Sequence, residues 1–333
     1  MDHDETRMRR AIDAARTVRR RTAPNPWVGC VIECRDGRVF TGATEPPGGR
    51  HAEIVALDAA RAAGADTRDA IVSTTLEPCS HHGRTGPCAD ALIAAGVARV
   101  SSAIEDPDPN VAGRGHARLA AAGVRVEVGC LAAEVREQLL PYLHHRRTGR
   151  PFVVAKVAAT IDGRTAAADG SSRWITGEVA RTAVHELRAD SDAIVVGAGT
   201  VRADDPELTT RLVDGPSPRR VVLGTAPADA RVHPCLEWNG PLEALLDRLG
   251  SDGVLQVLVE GGARVTASFH EADLVNRWVI HLAPAFLGAT GRPMIDGHGA
   301  ATMADIRRGR VTALRPLGDD IEVVIEPTPK ENT

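Results

Sequence analysis

Four residues of types that support metal chemistry lie in the first third of the chain. His51 and Glu53 are followed by Cys79 and Cys88. One histidine and two cysteines supply three zinc ligands and leave a fourth position open, which distinguishes a catalytic zinc site from a structural one. Zinc lowers the pKa of water towards neutrality, and a carboxylate that is not a ligand can then carry protons. These residues predict a hydrolytic zinc site with Glu53 as the proton carrier.

The order of these residues is that of zinc deaminases, in which an amine leaves. Their usual signature ends Pro-Cys-x-x-Cys, but eight residues, 80–87, separate Cys79 from Cys88. Cys88 and His51 both stand where a helix is predicted to begin, and the positive end of a helix favours thiolate. The alternative is that both cysteines are buried thiols and His51 is an ordinary polar residue. The four residues together favour zinc.

Composition limits the class of protein. A chain of 333 residues suggests two domains, and 43% hydrophobic with 25% charged residues is ordinary for a globular protein. A net charge of −4 offers no basic surface for nucleic acid. No secretory signal or membrane-spanning stretch is recognised, so we expect a cytoplasmic protein without a membrane partner. Six cysteines in a chain of this length do not indicate a disulfide framework. Four of them are interpreted as reduced thiols: Cys30, Cys34, Cys130 and Cys235.

Lysine is almost absent. The only lysines are Lys156 and Lys330, and Lys330 lies in a polar C-terminal segment. An ammonium differs from a guanidinium because it is a compact charge that can shift its pKa and release a proton. Chance survival or a buried salt bridge is the alternative, but Lys156 is a candidate functional residue.

Apolar patterning predicts an α/β chain in two halves. We expect a first domain over 1–146, a linker over 147–150, a second domain over 151–327 and a disordered tail over 328–333. The elements predicted in the first half are helices over 8–20, 51–63, 89–95, 114–122 and 132–143, and strands over 27–32, 70–76, 97–104 and 124–128.

The second half repeats the strand–helix alternation. Its predicted strands cover 151–157, 192–199, 219–223, 256–260, 277–282 and 321–325, and a helix covers 263–271. Gly261 and Gly262 precede that helix, where backbone amides can hold phosphate. A plain strand–helix turn explains the two glycines equally well, and no strict G-x-G-x-x-G occurs.

Several segments resemble the bifunctional riboflavin-biosynthesis deaminase/reductase family, in order and over almost the whole chain. In the first half they are Pro24-Asn25-Pro26, the zinc loop 75–88, Glu105-Asp106-Pro107 and 111–115. In the second half they are 161–164, 174–176, 199–206, 260–262 and 283–288. The resemblance implies a cytidine-deaminase-like three-layer α/β/α domain followed by a dihydrofolate-reductase-like α/β domain.

The resemblance also implies two consecutive reactions. The first is zinc-dependent hydrolytic deamination of a diaminopyrimidinone that carries a ribosylamino 5′-phosphate. The second is NADPH-dependent reduction of the ribosyl chain to ribityl. In the first domain His51, Cys79 and Cys88 would bind zinc. The implied substrate-binding residues there are Asn25 for the ring, His82 near the metal and Arg84 for the phosphate.

In the second domain a positive group would stabilise negative charge that develops as hydride arrives. Lys156 is the candidate, and Glu260 matches an acidic position that binds the ribose. The other positions that match substrate-binding residues are Ser172, Arg188, Leu208 and Arg211. The positions that match the NADPH side are Ala158, Trp174, Thr200, Asp204, Gly262, Ala263, Arg264, Val265, Thr266, Ala267 and Ser268.

The chain departs from the family pattern at three places. Thr44 replaces a frequent histidine, Gly224-Thr225 replace a frequent Asp-Ser, and the shorter segment 231–245 suggests a trimmed strand–helix unit. One alternative is therefore a deaminase with a degenerate reductase domain.

Other classes of protein fit the sequence less well. A nucleic-acid deaminase is disfavoured by the acidic balance and 3% aromatic content. A reductase whose first half is only a zinc-stabilised scaffold would not need Glu53. A pure binding or assembly protein leaves both reactive clusters unexplained. We expect small-molecule substrates and a homodimer or homotetramer.

Overall fold

The structure is a computed structural model that describes residues 3–80 and 86–328. It contains two compact units, Met1–Gly149 and Arg150–Thr333. Residues 147 and 148 of the predicted linker are helical, because the last helix of the first unit ends at Thr148. The predicted tail lies outside the described residues apart from Thr328. None of the helices in the described ranges is long and apolar enough to cross a membrane.

The first unit is a five-stranded sheet with helices packed against it. Its strands have the order β2-β1-β3-β4-β5, in which β1 is antiparallel to β2 and β3, and β3, β4 and β5 are parallel. The helices are α1 His3–Arg16, α2 Ala52–Ala62, α3 Cys88–Ala94, α4 Arg114–Ala121, α5 Ala132–Gln138 and α6 Leu140–Thr148, with a short 3-10 turn at Arg19–Arg21. The strands are β1 Gly29–Glu33, β2 Val39–Ala43, β3 Ile71–Leu76, β4 Arg99–Ile104 and β5 Arg125–Val128.

Two glycines allow helices to approach this sheet closely. A Cβ added at Gly29 would lie 1.9 Å from the Ala11 carbonyl oxygen of α1. A Cβ added at Gly42 would lie 2.1 Å from the Ala52 carbonyl oxygen of α2. Only glycine permits these distances. Gly42 therefore lets the start of α2, and with it His51, lie close to β2.

The strand directions bring three loops to one edge of the sheet. Leu76 at the end of β3 pairs with Ile104 at the end of β4, so both strands finish at this edge. Cys30 at the start of β1 pairs with Thr74 near the end of β3. The segment before β1, the segment after β3 and the segment after β4 therefore meet at the carboxyl ends of the parallel strands, where α/β sheets commonly bind ligands.

The second unit is an eight-stranded sheet with the order β10-β9-β8-β11-β6-β12-β15-β14. The six strands from β10 to β12 are parallel, and β15 and β14 complete the sheet with antiparallel pairing. Its strands are β6 Phe152–Thr160, β7 Arg164–Ala166, β8 Ala193–Gly197, β9 Arg219–Leu223, β10 Leu236–Trp238, β11 Gln256–Val259, β12 Arg277–Ala283, β13 Arg292–Pro293, β14 Gly309–Leu317 and β15 Asp320–Pro327, of which β7 and β13 pair separately. Its helices are α7 Glu178–Ala189, α8 Ala198–Asp204, α9 Leu242–Ser251 and α10 Ala263–Glu271.

The predicted α/β alternation is confirmed, with differences at several boundaries. The strand predicted over 192–199 ends at Gly197, because α8 begins at Ala198. The helix predicted over 132–143 is two helices that meet at Leu139. The strand–helix unit expected to be trimmed is present as a three-residue strand, β10, and the ten-residue helix α9.

Candidate active sites

Three elements of the first unit position the predicted metal ligands. His51 is the N-cap residue of α2, Cys79 follows the end of β3, and Cys88 is the first residue of α3. The His51 Nδ1 atom lies 3.5 Å from the Cys79 Sγ and 3.3 Å from the Cys88 Sγ. The Cys88 backbone N–H also donates to the Cys79 Sγ at 3.3 Å. The structure therefore brings together the three residues that the sequence predicted.

The geometry and charge of this cluster fit zinc. Zn–N and Zn–S bonds of about 2.0 and 2.3 Å in a tetrahedron require nitrogen–sulfur separations of about 3.6 Å. All three ligand atoms lie within 4.8 Å of one another. The hydrogen bond from the Cys88 thiol lowers the pKa of Cys79 to about 4, and the same contact raises the pKa of Cys88. Binding of a divalent cation would displace protons from these sulfurs.

Glu53 lies in the first turn of α2 and is 3% exposed. Burial, with a smaller contribution from the nearby Cys79 charge, raises the pKa of this carboxyl to about 7. The contact with Cys79 and burial raise the pKa of Cys88 most, and the Glu53 carboxyl lies close enough to the sulfur pair for its charge to raise that pKa further. The structure therefore places a proton-exchanging group next to the metal ligands, as predicted.

We expect zinc binding to depend on Cys88 and not on the thiols outside the cluster. Cys88→Ser should lose its zinc and its hydrolytic activity, because a neutral hydroxyl replaces a thiolate ligand. Cys235→Ser removes a thiol outside the cluster and is the matched control. Metal analysis of purified protein measures both, and equal zinc contents in the two variants would contradict the assignment.

A buried carboxylate joins the metal loop to the segment after β4, and the sequence reasoning missed it. Glu77 accepts hydrogen bonds from the backbone N–H groups of Asp106 at 3.2 Å, Gly113 at 2.9 Å, Gly115 at 2.8 Å and His116 at 3.3 Å. Glu77 is 4% exposed. A signal was available in the sequence, since an acidic residue directly follows the predicted strand 70–76 and precedes Pro78-Cys79.

Helix α6 holds two of the loops at the same edge. The Tyr142 hydroxyl lies 3.1 Å from both carboxylate oxygens of Asp106 and donates to them. One turn later the Arg146 guanidinium lies 3.6 Å from the Asp108 carboxylate and donates to the Pro24 carbonyl at 3.4 Å. Pro24 precedes the predicted ring-binding Asn25. The helix thus fixes the segments before β1 and after β4.

Loss of the Tyr142 hydroxyl should weaken this arrangement. Tyr142→Phe leaves the buried Asp106 carboxylate without that donor, which costs about 1–3 kcal/mol in the free energy of unfolding. Denaturant unfolding measures the loss. Thr17→Val, which removes an exposed hydroxyl bonded to the Ala14 carbonyl, should change stability much less. Equal stabilities of the two variants would show that the Tyr142 contact is not stabilising.

Two predicted substrate-binding residues belong to the segment between Cys79 and Cys88. His82 and Arg84 lie outside the described residues.

Thr44, the first departure from the family pattern, is buried, and its hydroxyl accepts a hydrogen bond from the Val28 N–H at 3.1 Å. Its side chain is therefore engaged in joining β2 to the segment before β1.

The second unit contains a cavity of about 1460 Å³. Lys156 on β6, Arg188 on α7 and Glu260 after β11 all line it. Arg188 donates to both carboxylate oxygens of Glu260, at 2.8 and 2.7 Å. Burial lowers the pKa of Lys156, and the Glu260 charge opposes that shift. The cavity therefore holds two cations around one carboxylate.

Nearly all the predicted substrate and NADPH positions line this cavity. Beyond the three charged residues they are Ala158, Ser172, Trp174, Thr200, Asp204, Leu208, Arg211, Gly262, Ala263, Arg264, Val265 and Thr266. Ala267 and Ser268 are not among the described residues that line the cavity, and their assignment to the NADPH side stays a prediction. Ala267 faces the core at 3% exposure, and the Ser268 hydroxyl donates to the Arg264 carbonyl. The helical turn carries them away from the cavity.

Gly261, before α10, permits close packing. A Cβ added at Gly261 would lie 2.6 Å from the Val265 side chain. Gly262 is the N-cap of α10 and lines the cavity together with Gly261. The helix N-terminus therefore opens on the cavity, a position suited to phosphate. Gly224 and Thr225, at the second departure, also line the cavity.

The comparisons with known proteins cover both units. Residues 1–104 match the cytidine and deoxycytidylate deaminase zinc-binding region, and residues 151–322 match the RibD C-terminal domain. The riboflavin biosynthesis protein RibD of Mycobacterium tuberculosis is 43% identical over 325 residues, with 93% of this chain and 94% of that protein covered. RibD of Escherichia coli is 36% identical, with 96% and 98% covered.

Solved structures agree over the whole length. Acinetobacter baumannii RibD has a TM-score of 0.89 at 34% identity and covers 98% of this chain and 99% of its own. A diaminohydroxyphosphoribosylaminopyrimidine deaminase/5-amino-6-(5-phosphoribosylamino)uracil reductase of Thermotoga maritima has a TM-score of 0.89 at 33% identity, with the same coverage. The predicted fold class, a deaminase-like domain followed by a reductase-like domain, is confirmed.

Proposed function

Because this chain belongs to the RibD family of riboflavin biosynthesis proteins, we propose that its two sites act in sequence on one pyrimidine intermediate. The chain is a bifunctional deaminase and reductase that uses Zn²⁺ and NADPH. The deaminase-only alternative is not favoured, since the relatives match both units over their length. The observation that carries the proposal is the cluster of His51, Cys79 and Cys88 with a buried Glu53 beside it.

In the first unit the substrate is the diaminohydroxyphosphoribosylaminopyrimidine that the Thermotoga maritima relative's name specifies. His51, Cys79 and Cys88 hold zinc, which supplies activation of water when it is bound. Glu53 takes a proton from the attacking water and delivers it to the departing amine, so that ammonia leaves and a carbonyl remains. Asn25, on the loop that Arg146 holds, orients the ring.

The loop 80–87 completes the substrate site in this proposal. We propose that His82 binds the substrate without being a metal ligand, and that Arg84 receives the substrate phosphate, for which a guanidinium is well suited. The support for these two roles is the family resemblance of the segment 75–88.

In the second unit NADPH, when bound, supplies the hydride. Lys156 stabilises the negative charge that develops on the opened sugar, and Glu260 binds the ribose hydroxyls. Ser172, Leu208 and Arg211 contact the substrate. Arg188 keeps Glu260 ionised, because the Arg188 charge opposes the effect of burial and lowers the pKa of that carboxyl. The residues that would hold NADPH are Ala158, Trp174, Thr200, Asp204 and residues 262–266, all of which line the cavity.

Two separate readouts test this assignment. With the aminated substrate and no coenzyme, ammonia should be released. Addition of NADPH should then cause loss of nicotinamide absorbance, and only after ammonia release has begun. A reduced product that still carries the amine would contradict the proposed order.

The chain is proposed to act on small molecules, in the cytoplasm, as a homodimer or homotetramer. The edge strand β14 supports self-association, since it exposes Val311 and Leu314 by 56% and 68% beside the unpaired edge of the sheet. Light scattering on the full chain should give an oligomer that Leu314→Asp weakens. An oligomer that Leu314→Asp leaves unchanged would place the interface elsewhere.

A further inference from the structure

One histidine in the reductase cavity has no role in the function described so far. His185 lies on α7, one turn before Arg188, and lines the cavity. It is 7% exposed. Its Nδ1 atom accepts a hydrogen bond from the Arg211 backbone N–H at 3.0 Å. Within the part of the chain that the structure describes, its Nε2 atom has no hydrogen-bond partner.

The contact with Arg211 determines which nitrogen carries the proton. A ring nitrogen that accepts a backbone N–H cannot also hold a hydrogen, so the neutral ring must be protonated at Nε2. Protonation of Nδ1 would set two N–H groups against each other. Burial lowers the pKa of His185, as do the charges of Arg188 and Arg211, while Glu260 opposes them. His185 is therefore held as a neutral imidazole with an N–H at Nε2.

The surroundings indicate what this N–H binds. Arg188, Arg211 and Lys156 line the same cavity, and Glu260 is the carboxylate that Arg188 pairs with. Both oxygens of Glu260 are already hydrogen-bonded to Arg188. The excess of positive charge favours an anionic ligand, and the Nε2–H, which has no acceptor among the described residues, is available to donate to an oxygen of that ligand.

We propose that His185 is a substrate-binding residue of the reductase, whose Nε2–H donates to an oxygen of the phosphorylated ribosyl chain. This inference rests on the proposed reduction of that chain in the second unit. In this proposal the neutral His185 N–H recognises one substrate oxygen through a directional hydrogen bond, and the arginines of the cavity attract the substrate through their charge. The Arg211 backbone also gains a function, because its N–H fixes the tautomer of the ring.

Two substitutions test the roles of the two ring nitrogens of His185 separately. His185→Asn keeps an acceptor near the Nδ1 position but cannot reach the position of Nε2. His185→Gln can place an amide N–H near Nε2 but loses the acceptor for Arg211. We expect His185→Asn to raise the KM for the deaminated substrate about tenfold, the value of one hydrogen bond of about 1.4 kcal/mol, with His185→Gln closer to the wild type.

Two other activities of the same variants serve as controls. Ammonia release by the first unit should be unchanged in both variants, which shows that the chain is folded, and the KM for NADPH should also be unchanged. An unchanged substrate KM in His185→Asn would overturn the inference, as would nitrogen-15 spectra that show the proton of His185 on Nδ1. Absence of reduction by the wild type would instead refute the proposed reductase function.

Discussion

Glu53→Gln is expected to lower the rate of ammonia release by about 10²–10⁴-fold, the contribution of a positioned general acid–base group. Glutamine has nearly the same shape but cannot accept a proton from water and pass it to the leaving amine. Because Glu53 is not a metal ligand, the variant should retain its zinc. Substrate turnover and metal analysis of the same preparation measure the two properties.

The second unit is the control for this variant. Reduction of the already deaminated substrate should proceed at the wild-type rate in Glu53→Gln, since the altered residue belongs to the other unit. Retention of full ammonia release would be the contrary result. The first unit would then be only a zinc-stabilised scaffold for the reductase.

Lys156→Met should reduce the turnover of the second reaction by about 10²–10³-fold, the effect of losing one group that stabilises developing negative charge. Methionine approximates the length and apolar stem of lysine. The variant should fold, because Arg188 still pairs with both oxygens of Glu260. The rate of nicotinamide oxidation with deaminated substrate provides the measurement.

Lys156→Arg is the matched variant for charge. It keeps the positive charge but replaces a compact ammonium with a planar guanidinium. We therefore expect a turnover between those of Lys156→Met and the wild type. NADPH binding should be similar in the wild type and both variants. If Lys156→Met reduced the substrate at the wild-type rate, the lysine would be an ordinary buried cation.

The metal site was predictable because its information is local. His51, Cys79 and Cys88 each stand at the start of a helix or just after a strand, and these positions are marked by neighbouring glycine, proline and apolar residues. Lys156 stood out because lysine is nearly absent, and Gly262 because it precedes a helix, but the other reductase residues were accessible only through the family resemblance. Helices α7 and α8, which carry Arg188 and Thr200, were not predicted from patterning at all.

Residues that act through distant partners were missed for a physical reason. Glu77 and Tyr142 gain their roles from contacts with the segment after β4, at separations of 29 to 39 and 36 residues. The tautomer of His185 depends on a backbone N–H that lies 26 residues away. No local pattern encodes such contacts. The assignment of Ala267 and Ser268 carries a whole helical run over from the family, whereas the described cavity lining includes only the first turn of that helix.

Mass spectrometry of the products, with zinc-loaded enzyme and the aminated substrate, tests the central claim most directly. Without NADPH the product should be about one mass unit heavier than the substrate, because hydroxyl replaces an amine. With NADPH it should gain about two more, from a hydride and a proton. An unchanged mass without NADPH, or a gain of two units with the amine retained, would contradict an enzyme that deaminates first and then reduces.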